Sequence, residues 1–290
     1  MVYFMRKAVS IAIGIIAGFS FGTAPIFIRL LLNVDSNSIA FARLFIGFWA
    51  LLLLIYLRNE LKQFIRVLMN YNWKHILMGS LLGLQFIFFV ASVKHTTILH
   101  ATIFVNTAPI QALILSLILF RTKPSRREIL SVLLGFTGIL TITLTEKGVS
   151  AGNIIGDLEA LLAATFEAFY LNLGADLRKR VDAKVLMVSN FMIGFIVVYL
   201  YCIPMQGGIH IPLDYYTILI LLALGLLPTA IGHTLYIASV KTLKPYETAM
   251  MPLLEPISAS ILAVILFNEI PGVNSIIGSI LIALAILLLF

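Results

Sequence analysis

The tetrapeptide Ala91-Ser92-Val93-Lys94 returns 147 residues later as Ala238-Ser239-Val240-Lys241. At the same shift Gly47 falls on Gly194, Pro109 on Pro256, Ile118-Leu119-Phe120 on Ile265-Leu266-Phe267, Pro124 on Pro271 and Ile129 on Ile276. Self-similarity at one fixed shift over half a chain is the mark of a duplicated structural unit. The sequence therefore divides into two repeats, residues 1–147 and 148–290.

Composition decides the solvent of those repeats. Hydrophobic residues make up 61% of the chain and charged ones only 11%, and the mean hydropathy is +1.06. That leaves too little polar surface to cover a soluble domain of 290 residues. A membrane span takes about 20 apolar residues. Charges and turn residues cut the chain into ten such stretches, near 8–31, 37–57, 75–93, 98–120, 128–145, 154–173, 185–203, 215–239, 246–267 and 272–290. The expected fold is an all-α membrane protein of ten transmembrane helices, with the lipid bilayer as its surroundings.

The net charge of +7 would point to nucleic acid in a soluble protein. Here its distribution reports topology, and no nucleic-acid partner is expected. With a cytoplasmic N-terminus, the inward segments hold Arg6 and Lys7; Arg58, Lys62, Arg66 and Lys74; Arg121, Lys123, Arg126 and Arg127; Arg178, Lys179, Arg180 and Lys184; and Lys241 and Lys244. These are 16 of the 20 basic residues, as the positive-inside rule requires, so both termini are expected in the cytoplasm. Five spans per repeat is an odd number, which turns the second repeat upside down relative to the first. Loop charges agree: 58–74 carries four basic residues and its counterpart 204–214 none, whereas 32–36 carries none and 174–184 four. Two inverted five-helix repeats are the architecture of secondary transporters.

Other signals exclude alternatives. The basic start and apolar run of residues 1–22 resemble a signal peptide, but no small-residue cleavage site follows, so the first span is expected to be retained. Cys202 is the lone cysteine, and His75, His95, His100, His210 and His233 have no metal-ligand spacing. There is no P-loop, no GxGxxG between a strand and a helix, and no Gly-x-Ser-x-Gly. We expect no catalytic residues, no metal and no cofactor, and uphill movement would draw on an ion or solute gradient.

Several stretches carry a family likeness. Leu253-Leu254-Glu255-Pro256, followed by Ile265-Leu266-Phe267-Asn268-Glu269 and an apolar last helix containing Gly278, resembles the "LLEP … lgE … G" ending of the ten-span EamA family within the drug/metabolite transporter superfamily. In the first repeat Ala42-Arg43-Leu44-Phe45 resembles that family's Arg-containing second helix and Ala108-Pro109 its fourth; Thr122 departs from the pattern, standing where the second repeat has Glu269. The resemblance implies a central cavity lined by the first four helices of each repeat, peripheral fifth and tenth helices, and alternating access by rocking of the halves.

A carboxylate at mid-bilayer costs about 2.5 to 3.5 kcal/mol, so such groups normally face a cavity or a partner. Glu255 lies roughly 14 Å into the ninth span beside Pro252 and Pro256, which deprive the carbonyls of Thr248 and Pro252 of intrahelical partners. It is a candidate site for a proton, a cation or an amine, or a stitch between the kink and a neighbouring helix. Glu167 shares a helix face with Tyr170 and Ala163, suited to holding an amine, carrying a proton or bonding another helix. Thr229, His233 and Tyr236 form one stripe of the eighth span, with Gly225 and Gly232 allowing close approach. Gln85, Phe88, Phe89 and Ser92 stand at comparable places on the third span, Gln85 as a neutral contact. Arg43 either anchors a substrate carboxylate or pairs permanently with Glu255 or Glu167, and the pairing is the expected role. Asn106 and Asn190 divide between cavity lining and helix glue. His100, Arg29, Lys94 and Lys147 are expected to reach for the interface, and Asp157 and Glu159 to be wet.

The candidate substrate cavity is thus Arg43, Gln85, Asn106, Glu167, Tyr170, His233, Tyr236 and Glu255, with Glu255 and Glu167 as coupling candidates. The expected protein is a monomeric secondary transporter of the cytoplasmic membrane. It would export or exchange small organic solutes such as amino acids or amines, with proton coupling as a hypothesis. An uncoupled facilitator or channel remains an alternative. So does an intramembrane enzyme, although no reactive cluster stands near an interface.

Overall fold

A computed structural model describes residues 2–119, 121–143, 153–258, 261 and 272–289. The boundary between repeats at 147, Thr145, Lys147, most of the second half of the ninth span, the 265–269 motif and Pro271 lie outside them. The described residues are helical and contain no strand. In order they form α1 (Val2–Phe21), α2 (Ala24–Leu30), α3 (Ser36–Leu57), α4 (Leu61–Met69), α5 (Trp73–His95), α6 (Ile98–Val105), α7 (Ala108–Ile118) and α8 (Arg126–Thr143). The second half follows with α9 (Ile154–Leu177), α10 (Ala183–Gln206), α11 (Tyr215–Leu224), a π-helical turn (Gly225–His233), α12 (Thr234–Ser239), α13 (Pro245–Ala249), a 3-10 turn (Met251–Leu254) and α14 (Val273–Leu287).

Short polar side chains start these helices. Asp35 accepts from the Ser38 amide, Asn72 from Lys74, Thr97 from His100, Asn153 from Ile155, Asp182 from Lys184 and Asp214 from Thr217. Each satisfies an amide that has no partner inside its own helix. Gly207, at φ 75°, ends α10 in the left-handed conformation that only glycine adopts freely.

Among the described residues six segments are long and apolar enough to cross a membrane: Met5–Leu30, Ser36–Leu57, Trp73–His95, His100–Ile118, Ala183–Gln206 and Tyr215–Ser239. The sequence led us to expect ten. The difference has local causes. Helix α8 has 18 residues but begins with Arg126, Arg127 and Glu128; α9 has 24 residues but carries Asp157, Glu159, Glu167 and Asp176; α14 has 15 residues; and the ninth stretch is described only in part.

Packing follows the duplication. Helix α5 lies along α9, and its counterpart, the π turn with α12, lies along α1. Contact of α5 with α10 is matched by contact of the π turn with α3, while α3 with α10 and α8 with α14 pair each element with its own equivalent, and α7 with α13 joins the two halves of the equivalent fourth and ninth stretches. The match holds at single residues. Ser131 donates its hydroxyl to the Ala285 carbonyl at 2.6 Å, and at the equivalent crossing the backbones of Gly278 and Gly138 come so close that a Cβ on Gly138 would meet the Gly278 oxygen at 2.8 Å. Small residues that let backbones touch hold helices together where lipid offers no hydrophobic drive. A two-fold relation therefore runs through the bundle, with α8 and α14 packed mainly on each other.

Candidate functional site

Interrupted helices surround the centre. The first span breaks at Gly22-Thr23, the fourth at Asn106-Thr107, the eighth passes through the π turn, and the ninth changes from α to 3-10 winding at Met251. A proline lies at or just after each break (Pro25, Pro109, Pro228 and Pro252), removing an N–H and crowding the preceding turn. Side chains return the lost bonds: Thr23 donates to the Ser20 carbonyl at 2.8 Å, Thr107 to Phe104 at 2.6 Å, and the Asn106 amide to Thr102 at 2.8 Å. Non-helical backbone at membrane depth is tolerable where it is buried in protein or borders a cavity.

A cavity of about 40 Å³ lies among these breaks. Arg43, Gln85, Phe86, Phe89, Glu167, His233 and Glu255 line it with Phe21, Ala24, Val105 and Pro252. A water needs about 10–15 Å³ by this measure, so the cavity has room for water but not for an amino acid. Gly18 and Gly22 bring α1 against the ninth span here; a Cβ on Gly22 would fall 1.6 Å from Ser258 Oγ and 2.9 Å from the Glu255 carbonyl oxygen.

Within the cavity, hydrogen-bonding capacity is left over. Arg43, on α3 and 2% exposed, donates from Nε to Thr229 Oγ1 at 3.1 Å, and its guanidinium carbon sits 4.4 Å from the Phe86 ring centre. Its Nη1 is buried without a partner, as are Gln85 Oε1 and His233 Nδ1. Glu167 Oε1 accepts from the Tyr236 hydroxyl at 2.5 Å. No ion pair joins Arg43 to Glu255 or Glu167 among the described residues. The expected permanent pairing of Arg43 is thus replaced by a threonine hydroxyl and an aromatic face. The cause is local: the π turn at Pro228 places Thr229 against α3, and Thr229 is itself anchored to the Leu224 carbonyl at 2.9 Å.

Of the eight expected residues, Arg43, Gln85, Glu167, His233 and Glu255 line the cavity, and Tyr236 joins it through Glu167. Two do not line it. Tyr170 turns its hydroxyl to Met187 Sδ at 3.1 Å, because residues three apart on a helix share only part of a face. Asn106 is spent on its own broken helix. Asn190 donates to Met78 Sδ at 3.4 Å, and Ser92 to its own Phe89 carbonyl at 2.8 Å. Sequence reasoning missed Phe21 and Phe86. The signal for Phe86 was present: it is the repeat equivalent of His233, and the two rings meet at 4.9 Å between centres.

Polar pairs tie the helices together at both ends of the bundle. Where α5 begins, Lys7 pairs with Glu247 at 3.0 Å, Lys74 with Asp176 at 2.5 Å, Lys184 with Glu60 at 2.7 Å and Lys244 with Glu128 at 2.6 Å. Where α5 ends, His95 meets Glu159 at 2.9 Å and His100 meets Asp157 at 3.0 Å. There Arg29 donates to the Thr96 carbonyl at 3.2 Å, and Lys94 to the carbonyls of Leu31 and Val34. Asp157 and Glu159 are therefore paired rather than freely wet, and His100, Arg29 and Lys94 bind neighbouring helix ends.

The sequence has relatives. A chain from Archaeoglobus fulgidus called an uncharacterized transporter is 25% identical over 216 residues, covering 72% of this chain and 73% of its own. A second so named from the same organism is 23% identical over 290 residues, covering 99% and 98%. One crystal structure superposes with a TM-score of 0.81 at 16% identity, over 97% of this chain and 96% of that one, a likeness of fold. The EamA-like transporter family matches twice, over residues 8–144 and 154–290. With its repeated halves and its apolar helices, the chain is a multi-pass membrane protein that belongs to the EamA-like transporter family.

Proposed function

We propose that this transporter moves small organic solutes, amino acids and amines foremost, by alternating access between two inverted five-helix repeats, 1–147 and 148–290. In this reading ten helices cross the cytoplasmic membrane, both termini are cytoplasmic, and the protein works as a monomer. The observation that carries it is the central cavity with Arg43 on one helix, Glu167 and Glu255 on others, and unpartnered hydrogen-bonding atoms on Arg43, Gln85 and His233. A guanidinium can take a substrate carboxylate and the acids its ammonium group. Because the cavity as it stands has room only for water, a solute enters when one of the two paired ends opens and the halves rock about the two-fold.

Glu255 and Glu167 are the proposed proton carriers, since a carboxylate inside a membrane protein marks ion and proton paths. Efflux of a labelled mixture of amino acids and amines from proteoliposomes, with and without an imposed pH gradient, tests the reading. Saturable loss of one solute class that responds to the gradient is the expected result. Equal loss from empty liposomes, with the protein folded, would overturn it, and saturable loss indifferent to the gradient would remove the proton and leave a facilitator.

A further inference from the structure

A second, larger cavity among the described residues lies away from the centre. It measures about 310 Å³ and lies between α4, the start of α5 and the end of α9, walled by Arg66, Asn70, Lys74, His75, Asp176 and Arg180 among others. Three cations face one carboxylate there. Lys74 and Lys179 both satisfy Asp176, at 2.5 and 3.5 Å, whereas the guanidinium groups of Arg66 and Arg180 have no hydrogen-bond or ion-pair partner among the described residues. The cavity thus keeps an unanswered positive charge.

A second observation also points to a ligand. His75 is 6% exposed and lines this cavity. Asn72 Oδ1, which already accepts the Lys74 amide at 3.1 Å, lies 3.0 Å from His75 Nδ1 and fixes the ring proton there. Nε2 is left as an acceptor, buried and without a partner. A group combining a phosphate for the arginines with a hydroxyl for Nε2 would complete the site. Planar guanidinium forks suit phosphate oxygens in particular.

The setting suggests where that phosphate comes from. Helix α4 is short and two-faced: Phe64 is buried in the protein, Ile65 and Met69 are 47% and 82% exposed beside Lys62 and Arg66, and Trp73 next to the cavity is 64% exposed. Apolar and basic side chains on one short helix, followed by an exposed tryptophan at the start of α5, fit the plane of a membrane interface. Basic pockets between helices at that depth hold acidic head groups.

We propose that this cavity is a binding site for a hydroxyl-bearing phosphate group, the head group of an anionic phospholipid, separate from the central cavity. A bound head group would bridge α4 and α5 of the first half to α9 of the second, across the Lys74–Asp176 pair.

Trp73 can report on it. In the Trp49→Phe variant Trp73 is the remaining tryptophan, and reconstitution into phosphatidylcholine nanodiscs with equal fractions of brominated phosphatidylglycerol or brominated phosphatidylcholine measures which lipid sits beside it. Phosphatidylglycerol should quench more strongly, and in Arg66→Gln/Arg180→Gln its apparent affinity should fall about tenfold or more while Arg66→Lys/Arg180→Lys retains part of it. Inorganic phosphate, titrated into neutral nanodiscs and read by melting temperature, is the second arm. A phosphate effect that needs Arg66 and Arg180, without preferential quenching, assigns the site to a soluble phosphate. Equal quenching by both lipids together with no arginine-dependent phosphate effect overturns the proposal. Glu255→Gln should leave both readouts unchanged, so failure here and failure of the transport reading are distinguishable.

Discussion

Phe86 and His233 hold equivalent places in the two halves and meet ring to ring, tilted, with centres 4.9 Å apart, yet one is a hydrocarbon ring and the other a titratable one. Around them the same divergence repeats: Arg43 corresponds to Asn190, Gln85 to Gly232, Glu167 to Ser20 and Glu255 to Ala108. The first half brings the cation and most of the rings to the cavity, and the second brings both carboxylates. At the α8–α14 crossing small residues are kept on both sides, since Ser131 is equivalent to Gly278 and Gly138 to Ala285, and only Gly135, equivalent to Ile282, differs in size. Packing between equivalents constrains both copies at once, whereas a solute-binding cavity needs complementary groups on opposite walls. Duplication therefore preserved the frame and let the lining become asymmetric.

The sharpest test of that asymmetry is to neutralise the side that carries the acids. We expect Glu255→Gln to lower gradient-driven transport about tenfold or more, equivalent to about 1.4 kcal/mol, and Glu167→Gln to act in the same direction. Transport and its pH dependence both unchanged in the two variants would mean the second half supplies no coupling group. Breaking the symmetric frame should cost stability instead. Gly138→Ile places a branched side chain against the Gly278 carbonyl and Ile282, and overpacking of this kind costs about 1–3 kcal/mol. Melting in detergent would measure it, and wild-type stability would contradict the close crossing.

His233→Phe restores the sequence symmetry at the axis. The ring contact with Phe86 survives, so stability should change by less than about 1.5 kcal/mol while the solute profile shifts. Loss of folding would show that His233 is structural. The smallest effect is expected at the α5 N-terminal end, beyond the sixth span. Lys74 holds the Asp176 carboxyl below the usual carboxylate range. A depressed folded-state value contributes stability above the ordinary aspartate range and loses it as pH falls through and below that range. Asp176 is 39% exposed, so Asp176→Asn should cost only about 0–1 kcal/mol near neutral pH. The difference from wild type should shrink in acid, and one that grew in acid would reverse the assignment.

Much of the site was legible because hydrocarbon tolerates few polar groups. Arg43, Gln85, Glu167, His233 and Glu255 stood out as polar residues in apolar runs, and all five line the cavity. Tyr170 and Asn106 stood out for the same reason but face a methionine sulfur and a broken helix turn. On regular α9 residues three apart share only part of a face, so Glu167 and Tyr170 diverge, and at Asn106 the winding itself is interrupted before Pro109. The bond of Arg43 to Thr229, 186 positions away in sequence, could not be read from either local pattern.

By itself the sequence determined the solvent, the duplication and the short list of polar groups, because composition and self-similarity belong to the chain whatever its conformation. Only the tertiary structure decided that Arg43 answers to a hydroxyl and an aromatic ring, and that Phe86 meets its own equivalent. It alone placed Arg66 and Arg180, on different halves, at one cavity. Each of these depends on which helix faces which across the two-fold, and that relation exists only once the halves are packed together.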